Sequence, residues 1–299
     1  RLHAEGRTLA PGVLGVPAGR GGFHIKAAGL VGERSYFAAK TNANFPDNSR
    51  FGLPTIRGTV VLAEAETGEP LAMMDSASVT ALRTGAATAV AAKFLARDHA
   101  RTATIVGCGA QGEIQLAAIA AVLPLQHVWV FDTVGVRAES LATRARAALQ
   151  IHVEAATKLH AASRECDVCV TCTPSRHWLV SRDDVAPGTF IAAVGADSYG
   201  KQELEPSLLA SSTLVVDVLE QCAEIGELQH ALAAGLMTRD QVHAELAEVV
   251  VGRRPDRTRD DEITVFDSTG TALQDVAAAI VVYDKARAME RGTEVNLDD

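Results

Sequence analysis

Residues 102–112 read Thr-Ala-Thr-Ile-Val-Gly-Cys-Gly-Ala-Gln-Gly, an apolar run that leads directly into three glycines spaced Gly-x-Gly-x-x-Gly. The run Thr102–Val106 has the composition of a buried strand, and the Ala/Leu-rich segment Ile114–Leu123 favours a helix. A glycine turn between a strand and a helix lets a pyrophosphate approach the backbone and meet the free N–H groups of the helix N-terminus. This stretch therefore predicts a dinucleotide-binding turn.

Each glycine of the turn has its own predicted role. Gly107 permits the tight turn, Gly109 leaves room for the pyrophosphate, and Gly112 allows close packing of the helix against the strand. Asp132 follows the next predicted strand, His127–Phe131, about twenty residues after the last glycine. Its carboxylate would accept hydrogen bonds from the ribose hydroxyls and repel a 2′-phosphate, so we expect NAD to be preferred over NADP.

The middle of the chain alternates Val/Ile-rich runs with helical periodicity, which is typical of a parallel sheet with helices on both faces. The predicted strands here are Thr102–Val106, His127–Phe131, Asp167–Thr171, Thr189–Val194 and Thr213–Asp217. The predicted helices here are Ile114–Leu123 and Arg137–Leu149.

The segments on either side of this block have a different character. Before it, three strand-like runs and an Ala-rich helix are predicted at Phe23–Ile25, Tyr36–Lys40, Thr59–Glu64 and Ser76–Arg97. After it come a strand at Ile263–Phe266 and a helix at Gly270–Arg287, whose Ala/Val face can pack back on the first segment. We predict an α/β fold with a Rossmann-type doubly wound parallel sheet, residues 99–270. It is inserted in a discontinuous α+β domain formed by residues 1–98 and 271–299.

Composition narrows the classes of function. The 299 residues are 47% hydrophobic and 22% charged, with a formal net charge of −9. This is globular composition, and the negative charge argues against a nucleic-acid partner. The sequence contains no bilayer-length apolar run and no secretory segment, so we expect no membrane association and a cytoplasmic location. Because the chain opens at Arg1 rather than Met, we expect that residues upstream were removed.

The cysteines do not predict a metal centre. Cys166, Cys169 and Cys172 have a suggestive spacing, but they lie in and beside the apolar run Asp167–Thr171, which indicates a buried strand. Five cysteines, a small and odd number, are typical of a reducing compartment, so we interpret them as structural thiols and predict no metal. Four histidines are also interpreted as structural: His24, His177, His230 and His243.

Several further motifs run in order through nearly all of the chain. They are Lys40-Thr-Asn-Ala-Asn-Phe-Pro, Gly52-Leu-Pro-Thr, Ala81-Leu-Arg83-Thr84-Gly85-Ala-Ala, Gly195-Ala-Asp197, Gly200-Lys201-Gln-Glu-Leu and Asp261-Glu-Ile-Thr-Val-Phe-Asp267-Ser268-Thr269-Gly270. With the glycine turn, they resemble the ornithine cyclodeaminase/mu-crystallin family, and most closely its alanine-dehydrogenase-like members. The resemblance implies a Rossmann domain for NAD(P), a homodimer joined through the discontinuous domain, and hydride transfer between nicotinamide and an amino acid or imine carbon.

The resemblance also implies roles for individual residues. Lys40 matches the family's active-site lysine, Arg83 a carboxylate-binding arginine, and Asp197 a carboxylate near the substrate amino group that can transfer a proton. With the glycine turn, the predicted cofactor contacts are Thr84, Gly107, Gly109, Ala110, Gln111, Gly112, Asp132, Thr173, Pro174, Asp267 and Ser268. Each of these three residues also has a purely structural interpretation. Lys40 can be a solvated lysine of an edge strand, Arg83 an arginine on a helix surface, and Asp197 an ordinary turn aspartate.

Lys26 departs from the cyclodeaminase pattern. Cyclodeaminases of the family place a glutamate near this position to hold the distal ammonium of the substrate. A lysine would instead repel a second cation at about 4 Å by roughly 1–4 kcal/mol. The dehydrogenase branch has a basic residue here. Since the family's early cation is missing near Pro11–Val13, we expect Lys26 to take over its contact with the carboxylate, with Arg20 as the rival.

These observations predict an NAD-dependent oxidoreductase for a small anionic amino or imino acid. Lys26, Lys40 and Arg83 would hold the carboxylate, while a fourth residue, Asp197, would handle protons at nitrogen or at the adding water. Two alternatives stay open at this point. One is an ornithine or lysine cyclodeaminase that releases ammonia with catalytic NAD, and the other is a dinucleotide-binding protein without catalysis.

Overall fold

The structure, a computed structural model, describes residues 1–297. The chain forms two compact units. The central unit comprises residues 84–270, and the split unit comprises residues 2–83 with the segment from Thr271 onward. The first crossing between units therefore falls inside the long helix that begins at Ser76, rather than at residue 98, because the start and the end of that helix belong to different cores.

The split unit opens with an antiparallel sheet in which each strand pairs with the next along the chain. The strands are β1 Thr8–Ala18, β2 Gly21–Leu30, β3 Tyr36–Asn44, β4 Ile56–Glu64 and β5 Pro70–Asp75. The sequence predicts only the three inner strands. In β1 the pattern is interrupted by Pro11 and Pro17, which an edge strand tolerates. In β5 the run is only six residues long, opens on Pro70 and does not alternate apolar with polar residues. The register of β1 also shifts between Leu9 and Gly12.

The helix α1, Ser76–Leu95, follows β5 directly. Asp75 accepts a hydrogen bond from the Ser78 backbone N–H at 2.8 Å, so it caps the start of the helix.

The central unit is built on an eight-stranded sheet in which the neighbouring strands are parallel. Its strands in chain order are β6 Thr102–Val106, β7 His127–Phe131, β8 His152–Ala155, β9 Val168–Thr171, β10 Arg176–Val180, β11 Phe190–Ala193, β12 Gln202–Leu204, β13 Thr213–Val216, β14 Ala244–Glu245 and β15 Thr264–Asp267. The sheet order is β14-β13-β15-β11-β9-β6-β7-β8, and β10 pairs separately with β12. Its helices are α2 Ala110–Ala120, α3 Gly135–Leu149, α4 Leu159–Glu165, α5 Pro206–Ala210, α6 Leu219–Ile225, α7 Leu228–Ala233 and α8 Leu246–Val250.

Successive residues of the central strands belong to two different cores. Ile105 lies in one core and Val106 in the other, and Phe190 and Ile191 divide in the same way. Strands that are buried on both faces in this manner have helices on both sides. The predicted doubly wound parallel sheet is therefore confirmed.

The last helix, α9, spans Ala272–Ala288 and returns to the split unit. It packs against β2, β3 and β4, and its core side chains there are Ala272, Val276 and Ala279. These small residues let the helix lie close to the sheet. Among residues 1–297, no helix has both the length and the apolar character needed to cross a membrane.

Candidate functional site

The glycine turn lies between β6 and α2, where the sequence places it. Gly107 has a φ of +103°, a conformation that favours glycine, and a Cβ there would lie 3.0 Å from the Cys172 carbonyl oxygen. A Cβ on Gly112 would lie 2.2 Å from the Gly107 carbonyl oxygen, so the helix packs too closely for a side chain. A Cβ on Gly109 would meet nothing within 4 Å. The turn therefore has open space at the glycine where a pyrophosphate approach is predicted.

Asp132 follows β7 and connects the end of this strand to the glycine turn through hydrogen bonds. Its carboxylate accepts hydrogen bonds from the backbone N–H groups of Cys108 at 3.0 Å and Val134 at 2.8 Å. Burial, together with the charge of Asp132, raises the pKa of the Cys108 thiol to about 12. The thiol therefore stays protonated near neutral pH and is not a nucleophile.

Glu203 is a buried carboxylate for which the sequence predicts no role. It accepts hydrogen bonds from the backbone N–H groups of Thr173 at 2.6 Å and Gly195 at 2.9 Å, and from the Thr171 hydroxyl at 2.7 Å. Its burial raises its pKa above the usual range. Glu203 thus joins the Thr173-Pro174 loop to the loop that carries Asp197, which is a physical reason for the glutamate in the Gly200-Lys-Gln-Glu-Leu motif.

Asp197 itself lies on the surface of the central unit. Its side chain is 55% exposed and forms an ion pair with Lys201 at 2.5 Å. The carboxylate is therefore open to solvent, and its part in proton transfer stays a prediction.

Asp267 and Ser268, at the end of β15 and just after it, are both buried, and the cofactor contact expected of them stays a prediction. The Asp267 side chain is fully buried and accepts a hydrogen bond from the Leu228 N–H at 3.0 Å, at the start of α7. Burial raises the pKa of Asp267 to about 7. The Ser268 hydroxyl donates to Asp217 at 3.1 Å. These hydrogen bonds join the loop after β15 to α7 and to the end of β13.

The predicted carboxylate-binding residues all lie in the split unit. Lys26 on β2 and Lys40 on β3 are direct partners across the two strands, and both are buried. Arg83 lies on α1, and its guanidinium donates to the side-chain oxygen of Gln274 at 2.9 Å. The rival Arg20 is 80% exposed and pairs with Asp47 at 3.3 Å, so it lies on the surface.

Asp275 joins two of these cations and was not predicted. Its carboxylate lies 2.7 Å from Lys40 Nζ and 3.2 Å from Arg83 Nε, and its side chain is 3% exposed. Asp275 sits in the first turn of α9, where the helix dipole favours a negative charge. In the sequence, the sign of Asp275 is an acidic residue in the first turn of the helix that follows the Asp267–Gly270 motif. That position alone does not indicate that Lys40 and Arg83 are its partners.

The environment of Lys40 makes its amine easier to deprotonate. Burial and the charge of Arg83 lower the pKa of Lys40 to about 8, with Lys26 adding to the effect, although Asp275 acts in the opposite direction. Lys40 also donates to the Thr80 hydroxyl at 3.3 Å. A lysine with these neighbours is protonated at neutral pH and neutral at moderately alkaline pH.

Sequence comparison identifies related proteins over almost the whole chain. The profile of the ornithine cyclodeaminase/mu-crystallin family matches residues 11–290. An alanine dehydrogenase of Archaeoglobus fulgidus is 38% identical over 295 residues, which cover 99% of this chain and 90% of that protein.

Solved structures give the same result for the fold. An archaeal alanine dehydrogenase dimer with bound NAD superposes with a TM-score of 0.94 and 39% identity, covering 99% of this chain and 91% of that one. The iminosuccinate reductase of Paracoccus denitrificans, in complex with NAD+, gives a TM-score of 0.90 and 33% identity, with the same two coverages of 99% and 91%.

Proposed function

The chain belongs to the ornithine cyclodeaminase/mu-crystallin family, and on this premise we propose that it is an NAD-dependent oxidoreductase. It transfers hydride between nicotinamide and the α carbon of a small L-amino acid or its imine. The observation that carries the proposal is the pair of buried cations, Lys40 and Arg83, that share the single carboxylate of Asp275. Two positive charges against one negative charge favour the binding of a further carboxylate. Relatives named alanine dehydrogenase and iminosuccinate reductase support this class of substrate.

The cofactor contacts come from the central unit. The open face of Gly109 and the backbone N–H groups of Ala110 and Gln111, at the start of α2, suit a pyrophosphate. Asp132 would accept the ribose hydroxyls, and its charge disfavours NADP. When bound, nicotinamide supplies the hydride acceptor or donor. The further contacts proposed are the Thr84 side of α1 and the Thr173-Pro174 loop.

The residues of the split unit orient the substrate. Arg83 presents a planar guanidinium that can form two parallel hydrogen bonds to a carboxylate, and Lys40 adds a charged donor beside it. Lys26, as the strand partner of Lys40, supplies a third cation near the site. Asp197 is proposed to move the proton at the substrate nitrogen or at the adding water. Its exposed side chain can exchange protons with solvent.

Lys26 also separates this proposal from cyclodeamination. Ornithine and lysine carry a distal ammonium, which a buried lysine at this position repels. We therefore propose that diamino acids are poor substrates. If ornithine instead releases ammonia and proline without net formation of NADH, the cyclodeaminase alternative replaces the proposal.

We propose a homodimer formed through the face of the five-stranded sheet opposite α9. Ala39, Val61 and Met73 are aligned partners across β3, β4 and β5, and the last two are 39% and 76% exposed. Phe37 and Leu14 add exposed apolar surface. A face of this kind suits a second copy of the same chain, as in the archaeal dimer. We also propose a cytoplasmic location, since all five cysteines are free.

The decisive experiment follows NADH oxidation with pyruvate plus ammonia, with iminosuccinate, and with pyrroline-2-carboxylate. We expect turnover with at least one of them, and a loss of most kcat/KM in Lys40→Ala. Cofactor binding is measured separately by NADH fluorescence in both proteins, because Lys40 is not a predicted cofactor contact. NADH binding without turnover of any substrate would leave the non-catalytic alternative.

A further inference from the structure

Three metal-ligating side chains converge at the beginning of β7 and β8 in the central unit. His127 and His152 are the first residues of these neighbouring parallel strands and are direct partners in register. Glu154 follows His152 by two positions, so its side chain lies on the same face of the sheet. The strand beginnings lie at the edge of the sheet opposite the glycine turn, which follows the carboxyl end of β6. The cluster is therefore separate from the proposed cofactor site.

The ligand atoms of the three side chains are close together. His127 Nε2 lies 2.8 Å from Glu154 Oε1, and His152 Nε2 lies 4.0 Å from Glu154 Oε2. One ligand atom from each residue lies within 4.8 Å of the others. Ligands around a tetrahedral ion with bonds of about 2.0–2.2 Å are about 3.3 Å apart. Side-chain rotations that move the ligand atoms by about 1 Å would bring the three atoms to that spacing.

The neighbours of the three side chains leave their ends free to rotate but restrain the His127 ring. The three side chains are 31%, 59% and 46% exposed, so their ends can move. The His127 ring is stacked on Trp129 with centroids 4.0 Å apart, which fixes its plane. β8 is the outermost strand on its side of the sheet, so an ion can reach the cluster from solvent.

Ion pairing of Glu154 with the two histidines explains the cluster less completely than a bound cation does. The two imidazole rings have centroids 4.6 Å apart, so protonation of both would place two positive charges beside one carboxylate. With both rings neutral, each can present a nitrogen lone pair toward the same small space. A divalent cation accepts one lone pair from each of the three groups, and imidazole with carboxylate suits zinc, nickel and copper.

We propose that His127, His152 and Glu154 bind one divalent transition-metal ion, with solvent completing its coordination. The ion would tie β8 to β7 and so stabilise this edge of the sheet. The sequence does not reveal this cluster, because 27 positions separate His127 from Glu154 and only the strand pairing brings them together. The proposal does not depend on the proposed oxidoreductase activity.

Calorimetric titration of the chelator-treated, dialysed protein with zinc chloride at pH 7.5 tests this site. We expect one saturable equivalent and a rise of several degrees in Tm. The equivalent should disappear in His152→Ala and in Glu154→Gln. It should persist in His99→Ala, a matched control at an exposed histidine of the same unit.

A second measurement uses the unaltered protein, so that the test does not depend on the folding of a variant. Electron paramagnetic resonance with one equivalent of Cu2+ should show coupling to two imidazole nitrogens. Absence of saturable zinc binding, equal binding in His152→Ala, or a copper spectrum without nitrogen coupling would overturn the proposal. Each of these outcomes can occur whether or not the protein oxidises NADH.

Discussion

Lys40 Nζ lies 2.7 Å from the Asp275 carboxylate, which Arg83 Nε also approaches at 3.2 Å. The three residues come from β3, α1 and α9, so a single buried carboxylate connects three elements of the fold. Removal of one member of a buried charge cluster leaves the others without compensation. Asp275 is therefore the counter-charge that holds the two cations side by side.

The first prediction concerns the pH dependence of the proposed activity. If Lys40 must be protonated to bind the substrate, kcat/KM falls as pH rises through about 8, the pKa of Lys40. The substitution Asp275→Asn removes the negative charge that raises this pKa. The fall should then begin at least about one pH unit lower, since a nearby opposite charge typically shifts a pKa by about 1–3 units.

The pH profile separates this effect from a general loss of structure. Asp284→Asn is the matched control, because Asp284 lies on the same helix and is exposed. We expect the control to keep the profile of the unaltered protein. A profile for Asp275→Asn that keeps its inflection near pH 8 contradicts the assignment.

The sequence predicted the parallel sheet well because the information there is local. Val/Ile-rich runs, a glycine turn and a following acid identify β6, β7 and their connection without knowledge of distant contacts. The roles of Lys40 and Arg83 are predicted only through the resemblance to a family. Asp275 and Glu203 were missed because their importance depends on partners far along the chain, at 235 positions from Lys40 in the first case. The edge strand β1 is hard to predict because its two prolines interrupt the pattern, and β5 because its short run does not alternate apolar with polar residues.

The second prediction distinguishes two glycines of the turn. Gly109→Ala adds a methyl group to open space, so Tm should hold while the dissociation constant for NADH rises about tenfold, or about 1.4 kcal/mol. Gly112→Ala brings a Cβ to 2.2 Å from the Gly107 carbonyl oxygen and should lower the free energy of unfolding by about 1–3 kcal/mol. Thermal unfolding and fluorescence titration measure the two effects. Equal loss of stability in both variants would be inconsistent with this geometry.

The third prediction concerns the choice of cofactor. Asp132→Ser removes the negative charge that disfavours a 2′-phosphate while keeping a hydroxyl that can bond to the turn. The ratio of kcat/KM for NADPH to that for NADH should rise about tenfold or more, which corresponds to about 1.4 kcal/mol. Glu139→Gln, at an exposed position on α3, serves as the control and should leave the ratio unchanged. An unaltered ratio in Asp132→Ser would show that another group selects the cofactor.

The fourth prediction tests the proposed dimer. Val61→Arg places a positive charge in the middle of the exposed apolar sheet face. In a twofold interface the symmetry-related subunit would add a second positive charge. Sedimentation velocity should show a dimer for the unaltered chain and a monomer for the variant. Glu66→Arg, in the exposed turn between β4 and β5, should remain dimeric. A dimer that survives Val61→Arg points to a different interface.

The fifth prediction concerns stability and the buried carboxyl of Asp267. Its pKa is about 7 in the folded chain against 3.8 as the ordinary value, so the folded state binds more protons than the unfolded state between pH 4 and 7. The free energy of unfolding contributed by this group therefore falls as pH rises, by up to about 1.4 kcal/mol per pH unit. Asp267→Asn removes the titration but keeps an oxygen that can accept the Leu228 N–H. Urea unfolding between pH 4 and 8 should show a smaller decline in stability for this variant than for Glu224→Gln, an exposed control in the same unit. If both variants decline in parallel, the proton of Asp267 is not what makes the folded chain more stable at the acidic end of that range.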